Sequence, residues 1–157
     1  MTVETTAVRS AEQRRRDLLE RLEREEDIWV ASADSAGVPC LVALSFLWDG
    51  EAIWLSTRRS NPTGRNLGEP GRPVRLSLAH TRDVALLEGR VADVVRVDEV
   101  PAATANAFAA KAGWDPRHPR NGHAYAYHRV LLTEVQVWHE IPEMPGRHLM
   151  RGGVWTV

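Results

Sequence analysis

The sequence contains few of the residues on which several kinds of site depend. Its only cysteine, Cys40, excludes both an intrachain disulfide framework and a cysteine-based zinc site. Its only lysine, Lys111, means that a phosphate near residues 51–67 would be held by arginine, hydroxyl and backbone groups rather than by an ammonium. Neither the G-x-x-x-x-G-K-[ST] pattern nor the G-x-G-x-x-G pattern occurs, so neither of these Gly-rich phosphate loops is present.

The sequence also lacks an excess of acidic or basic residues, and it lacks long hydrophobic segments. The formal net charge of -1 argues against a non-specific nucleic-acid binder, which would show a basic bias. No apolar signal core begins the chain and no run approaches the length that spans a membrane. We therefore predict a cytoplasmic protein without nucleic-acid or membrane partners. The length of 157 residues and the 43% hydrophobic content predict one globular domain.

A short apolar strand followed by a polar turn stands out in the segment Glu51–Leu67. Ala52–Leu55 is β-prone, and Thr63–Leu67 has the pattern of a helical turn. The polar residues between and within them are Ser56, Thr57, Arg58, Arg59, Ser60, Asn61 and Thr63. Free N–H groups where a helix begins and the forked donors of arginine both suit phosphate oxygens. We predict a phosphate-anchoring turn for a flavin-like cofactor; the alternative is an ordinary solvated turn.

The remaining pattern predicts a β-rich domain behind one helix. Ser10–Asp27 reads as a helix with Ser10 as its cap, and residues 1–9 are predicted to be disordered. Val38–Trp48 is nearly all apolar, so it should be buried on both faces or lie under a ligand. Asp98–Ala112 is predicted to be a second helix that stops at Gly113. The predicted strands are Ile28–Ala33, Val38–Trp48, Glu51–Ser56, Val74–His80, Val84–Val95 and Ala124–Trp138, and Gly152-Gly153 predicts a terminal hairpin turn.

Long apolar strands joined by short turns in a chain of this size favour a closed barrel over an open sheet. We therefore predict a mainly β protein with flanking helices, built on a six-stranded antiparallel barrel. The predicted organisation is a disordered N-terminus plus a leading helix over residues 1–27, followed by a cofactor-binding barrel domain over residues 28–157.

Several sequence pieces, taken in order, resemble a known family. They are W-V-A-S, G-x-P, D-G and I-W-L-S-T, then R-N-L, V-R-L-S-L, E-G-R-V, G-W-D-P-R and R-H-L-M-R-G-G-V-W. Their order over roughly residues 28–155 resembles the pyridoxamine-5'-phosphate-oxidase-like split β-barrels, which include flavin and deazaflavin oxidoreductases. The resemblance implies a homodimer with two cofactor sites at the subunit interface. It also implies that FMN or the 5-deazaflavin F-420 is bound, and the S-T…R-N-L turn and the tail look closer to the F-420 branch.

The resemblance carries site residues over to this chain. Thr57, Arg58, Arg65 and Asn66 match the phosphate-holding turn, and the strand around Ala43 matches positions that face the ring. The full set of cofactor-binding candidates is Val42, Ala43, Leu44, Ser56, Thr57, Arg58, Arg59, Thr63, Arg65 and Asn66. Trp138 and Arg147 match a region that reaches the substrate side from the partner subunit. No catalytic residue is predicted, because the cofactor itself carries out hydride transfer in such enzymes.

One departure from the family keeps a second function open. Relatives commonly carry Lys at the position of Thr63, two residues before the R-N-L arginine. The alternative to a flavin- or deazaflavin-dependent oxidoreductase acting on a small organic substrate is therefore a cofactor-binding or sensor protein without turnover. Metal or haem chemistry through His118, His123 and His128 is a third reading. We predict no metal site, since the odd spacing of the last two points their rings to opposite strand faces.

Overall fold

The computed structural model describes residues 7–157, which form eight β-strands and three α-helices. The strands are β1 Asp27–Ala33, β2 Pro39–Trp48, β3 Ala52–Arg58, β4 Pro73–Ser77, β5 Asp83–Arg96, β6 Tyr125–His139, β7 His148–Arg151 and β8 Val154–Trp155. The helices are α1 Ala11–Arg24, α2 Pro62–Asn66 and α3 Ala102–Ala112, with 3-10 turns at Pro119–Asn121 and Ile141–Glu143. None of the described helices has the length and apolar content needed to cross a membrane.

Six of the strands close into an antiparallel barrel, as predicted. The hydrogen-bonded order is β3-β2-β1-β4-β5-β6, and β3 pairs with β6 to close it. The predicted C-terminal hairpin forms β7 and β8, which extend the sheet beyond β6. The register between β5 and β6 shifts between Glu88 and Gly89. A Cβ at Gly89 would lie 2.6 Å from the Leu131 carbonyl oxygen, so the close approach of the strands requires glycine.

Helix α1 packs its apolar stripe against the barrel core. Leu18 and Leu22 are fully buried in one cluster with side chains from the barrel strands. The predicted cap is present, because the backbone N–H of Gln13 donates to Ser10 Oγ at 3.1 Å. Residues 1–6 of the segment predicted to be disordered lie outside the described residues, whereas Arg9 forms ion pairs that are described below.

A second apolar cluster lies outside the barrel under α3. Phe108 of α3 packs edge-on against Tyr127, and Trp54 belongs to the same cluster. The helix begins at Ala102 rather than at Asp98, because Pro101 disfavours a helical conformation at the residue before it and the chain stays non-helical through Pro101. It ends at Gly113 as predicted, in the left-handed conformation that glycine adopts most readily (φ 74°).

The outward face of β1 and β2 is apolar but uncovered. We expected β2 to be buried on both faces or to lie under a ligand. The first alternative is wrong, since Leu41 on the outward face is 64% exposed. Trp29, which pairs with Ala43 across β1 and β2, is 44% exposed, and Leu41 pairs with Ala31. Apolar side chains on β1 and β2 thus form a contiguous surface. It lies beside residues 51–67, the segment predicted to hold a phosphate.

Candidate functional site

The predicted phosphate turn begins later than the sequence suggested. Strand β3 runs through Arg58, so Ser56, Thr57 and Arg58 lie on the strand rather than in the turn. They pair in register with Tyr127, Ala126 and Tyr125 of β6. This closing pairing of the barrel holds the end of β3 extended. We call residues 56–66 the anchoring turn; it comprises the end of β3, residues 59–61 and α2.

Three of the four hydroxyl groups of the anchoring turn are buried, those of Ser56, Thr57 and Thr63, and they differ in their availability. Ser56 Oγ donates to the Ala126 carbonyl oxygen at 2.9 Å, so its proton is already used within the barrel. Thr57 Oγ1 accepts from Asn61 Nδ2 at 3.4 Å. Thr63 Oγ1 lies 3.4 Å from Cys40 Sγ on β2. Among the buried hydroxyls, those of Thr57 and Thr63 therefore have capacity for another partner.

Helix α2 is fixed against three strands of the barrel. A Cβ at Gly64 would lie 2.1 Å from the Arg58 carbonyl oxygen, so only glycine lets α2 approach the end of β3 this closely. Asn66 Nδ2 donates to Ser32 Oγ on β1 at 3.0 Å, and Thr63 contacts Cys40 on β2. The sequence did not identify Gly64 and Ser32 as parts of the site. The only local indication for Gly64 was a glycine between Thr63 and Arg65 in a segment with a helical pattern.

Three guanidiniums surround this scaffold without carboxylate partners. The Arg58 guanidinium lies 5.2 Å from the centroid of the Tyr125 ring. Arg59 Nη2 donates to the His123 carbonyl oxygen at 2.8 Å, and Arg65 Nη1 donates to the Ser60 carbonyl oxygen. Within residues 7–157 none of the three forms an ion pair, although eleven pairs occur elsewhere in that range. The turn therefore presents uncompensated positive charge to solvent.

The candidates on β2 do not share one face. Val42 and Leu44 point inward and pack against the barrel core, whereas Ala43 is exposed on the outward face. This alternation follows from the two-residue period of a strand. Beside it, a groove of about 230 Å³ runs between β1 and β4 and is lined in part by Ser32 and Arg75. Because Ser32 also contacts Asn66, the groove borders the anchoring turn.

Trp138 and Arg147 lie at the opposite end of β6 from the anchoring turn. Arg58 pairs with Tyr125, whereas Trp138 pairs with Val84, thirteen residues further along β6. At about 3.3 Å per residue this places the two positions about 40 Å apart along the strand. Arg147 Nε donates to Gln136 Oε1 at 3.0 Å, and its Nη1 donates to the Met144 carbonyl oxygen. One chain therefore does not bring the two groups of candidates together.

The histidines do not form a metal centre in the described part of the chain. Residues 7–157 contain no cluster of three or more His, Cys, Asp or Glu side chains placed to hold a metal ion. His118 Nδ1 instead accepts from the backbone N–H of Arg120 at 3.2 Å. His128 is only 1% exposed and its buried Nδ1 has no hydrogen-bond partner. Burial lowers the pKa of His128 to about 4, so its ring is neutral at pH 7.

Comparison with known proteins gives matches in structure alone. No protein-family model and no curated protein matches the sequence. An F420 reductase is 20% identical with a TM-score of 0.59, covering 74% of this chain and 93% of its own. A Listeria innocua protein proposed to be a pyridoxamine 5'-phosphate oxidase is 13% identical with a TM-score of 0.56, covering 78% and 95%. A heme-binding protein from Mycobacterium smegmatis is 17% identical with a TM-score of 0.58, covering 94% and 60%.

These structures share an architecture with the present chain but differ in what they bind. At such identities the likeness concerns the fold. Together with the closed six-stranded barrel described above, it establishes that the chain has the split β-barrel fold of the pyridoxamine-5'-phosphate-oxidase-like proteins.

Proposed function

We propose that the protein is an oxidoreductase that binds F-420 or FMN, with F-420 favoured, and transfers a hydride between this cofactor and a small organic substrate. The observation that carries the proposal is the anchoring turn. There Arg58, Arg59 and Arg65 lack carboxylate partners within residues 7–157, beside the buried hydroxyls of Thr57 and Thr63. Guanidinium groups of this kind match phosphate oxygens in pairs. The F420 reductase among the structural neighbours supports the choice of cofactor class.

The donor chemistry of the turn fits a phosphate group. Arg58 and Arg65 are exposed, and the present contact of Arg65 is with a neutral carbonyl, which a phosphate would replace with a stronger charged partner. Ser56 has its only donor engaged within the protein, and Asn66 uses one of its two amide donors on Ser32, so both would chiefly orient the scaffold. When bound, the flavin or deazaflavin supplies the hydride chemistry. The chain's own residues bind the anionic tail, orient the cofactor and exclude water.

A homodimer is part of this proposal. The outward face of β1, β2 and β5 exposes the large apolar side chains of Trp29, Leu41 and Leu86, and a contiguous apolar surface of this kind marks a contact with another protein. The cross-strand pairings align Leu86 with Ser77 and Ser77 with Trp29. A second copy on this face would cover it. It would also supply Trp138 and Arg147 to an anchoring turn that cannot reach them within one chain.

Cofactor titration tests the proposal. The purified protein is titrated separately with F-420 and FMN, and binding is followed by the change in cofactor absorbance. Arg58→Gln and Arg65→Gln should each weaken binding about ten- to a hundredfold, because each removes a charge-assisted hydrogen bond worth about 1.5–3 kcal/mol. Arg24→Gln is the matched control, since this exposed arginine lies on α1 outside the turn. Equal affinities in all four proteins would refute the proposed site.

A cofactor-binding or sensor protein without turnover is the second candidate. It is favoured by Thr63, which is buried and contacts Cys40 where relatives carry a lysine that reaches the phosphate. The two candidates are separated by supplying reduced F-420 with a panel of alkene, imine and quinone acceptors. Tight binding with no oxidation of the cofactor on any acceptor favours the sensor. Hemin is included in the titrations because one structural neighbour binds heme, and a Soret shift would point away from both candidates.

A further inference from the structure

We propose that the side-chain amine of Lys111 is a covalent site for small neutral aldehydes, which it binds reversibly as a Schiff base. Lys111 is the only lysine among the twenty basic residues of the chain. It lies in the last turn of α3, where α3 meets α1 and β2. The inference goes beyond the proposed function, because neither the anchoring turn nor a second copy of the chain takes part.

Two contacts hold the amine in place. Lys111 Nζ donates to the Leu22 carbonyl oxygen at 2.7 Å and lies 3.6 Å from the centroid of the Phe46 ring. Leu22 belongs to the last turn of α1, where the carbonyl groups lack partners within the helix. A carbonyl oxygen and a ring face both accept an N–H group, whether or not the nitrogen is charged. The neutral amine therefore keeps the same position as the ammonium.

This arrangement leaves the nitrogen lone pair free to react. A neutral lysine amine has two N–H groups and one lone pair. When the N–H groups point to the Leu22 carbonyl and the Phe46 ring, the tetrahedral nitrogen directs its lone pair away from both. Lys111 is only half-buried and the other two directions are occupied by protein, so the lone pair faces the open side.

The surroundings also favour the neutral form of the amine. Within residues 7–157 Lys111 forms no ion pair that would hold it charged. Burial lowers the pKa of Lys111 to about 8, against the opposing effect of Glu25, Glu23 and Glu26. About a tenth of the amine is therefore neutral at pH 7, compared with less than about one part in a thousand for an ordinary lysine.

The charges around Lys111 favour an aldehyde over other electrophiles. The amine attacks the carbonyl carbon of the aldehyde, and the carbinolamine loses water to form a C=N bond, so no oxidant or reductant is needed. The Schiff base, after taking a proton from solvent, keeps one N–H for the Leu22 carbonyl and a positive charge over Phe46. The three glutamates at the end of α1 stabilise this cation and repel an anionic aldehyde. Acylation would instead remove the charge and with it these interactions.

Reductive trapping tests the inference. The purified, cofactor-free protein is incubated with propanal and cyanoborohydride, which converts a Schiff base into a stable alkylamine, and the alkylated site is identified by peptide mass spectrometry. Arg24→Lys supplies an exposed reference lysine on α1 in the same molecule. At pH 7 Lys111 should be alkylated about tenfold faster than the lysine introduced at position 24, because its larger neutral fraction outweighs its lower basicity and partial burial. The rate at Lys111 should level off above about pH 9, whereas the rate at position 24 should continue to rise.

Two controls accompany the trapping. Lys111→Arg keeps a cation in α3 and should restrict alkylation to the α-amine of the chain; the pH profile of the unmodified protein tests the site even if this variant fails to fold. Butanal and 4-oxobutanoate form a matched pair, and each rate is divided by that of N-α-acetyllysine with the same aldehyde. On this scale butanal should react several times faster than 4-oxobutanoate at Lys111, because the glutamates repel the carboxylate.

Alkylation of Lys111 no faster than that of position 24, a rate that keeps rising above about pH 9, or equal normalised rates for the two aldehydes would each overturn the inference. Neither alkylation of Lys111 nor Lys111→Arg should change affinity for F-420 or FMN. Failure here is therefore distinguishable from failure of the anchoring turn.

Discussion

The buried histidine inside the barrel makes stability depend on pH in a specific window. His128 lies on β6 opposite Leu55 and Val94, and burial lowers its pKa from 6.5 to about 4. Between these values the unfolded chain binds a proton at His128 that the folded chain does not. The free energy of unfolding therefore falls as pH falls from 6.5 towards 4. At about 1.4 kcal/mol per pKa unit, the full loss is about 3 kcal/mol.

Comparison of the protein with a His128→Leu variant isolates this contribution. Leucine has a similar volume and leaves no orphaned ring nitrogen in the core. Urea unfolding at pH 7 and pH 5 should show the unmodified protein losing about 2 kcal/mol more than the variant. The other histidines are the same in both proteins, so any contribution from them cancels in the difference. Stopping at pH 5 also avoids the range in which Glu143 titrates.

The exposed His123 offers a matched control, because His123→Gln removes an imidazole without touching the core. Its unfolding free energy should fall between pH 7 and pH 5 as steeply as that of the unmodified protein. Equal slopes for His128→Leu and the unmodified protein would refute the reasoning. They would mean that the buried ring is charged at pH 5 or that water reaches Nδ1.

Three other changes test the packing and the ion pairs. In the Gly64→Ala variant the alanine Cβ would clash with the Arg58 carbonyl oxygen. Urea unfolding should therefore show a loss of about 1–3 kcal/mol in the free energy of unfolding, and titration should show no cofactor binding. Burial raises the pKa of Glu143, but hydrogen bonds from Arg9 and the His139 amide lower it to about 2. The stability it provides is present above pH 4.5 and is lost towards pH 2, so Glu143→Gln should flatten unfolding profiles in that range. Lys111→Met removes a hydrogen bond to the Leu22 carbonyl and a cation–π contact, and should lower the midpoint of urea unfolding by an amount equivalent to about 1 kcal/mol.

The barrel was predictable because its signals are local. The Asp49-Gly50 turn between β2 and β3 is read directly from two residues, and Asp49 Oδ1 accepts from the backbone N–H groups of Glu51 and Ala52. The alternation in β4 and the apolar stripe of α1 are likewise periodic over a few residues. Consecutive hairpins of this kind leave little choice of topology for a short chain.

What could not be predicted depends on contacts between distant residues. The extension of β3 through Arg58 is held by β6, about seventy positions away, and no local pattern announces that pairing. The role of Arg9 depends on Asp83 and Glu143, so a segment expected to be disordered is held at its last residue. The sequence left a structural, a surface and a ligand role open for His128, because the neighbours that bury it inside the barrel come from other strands.

Arg9 and Arg21 differ in their partners from the arginines of the anchoring turn. Arg9, which precedes α1, and Arg21, in the last turn of α1, contact carboxylates and a carbonyl around the start of β5, although Arg21 Nη2 has no hydrogen-bond partner within residues 7–157. At the anchoring turn the arginines contact only neutral carbonyls or a ring, with no carboxylate in the described residues. Unpaired positive charge is unfavourable through mutual repulsion unless an anion compensates it. Contacts within the fold therefore account for the partners of Arg9 and Arg21, whereas the arginines of the anchoring turn support the proposed site for an anionic ligand.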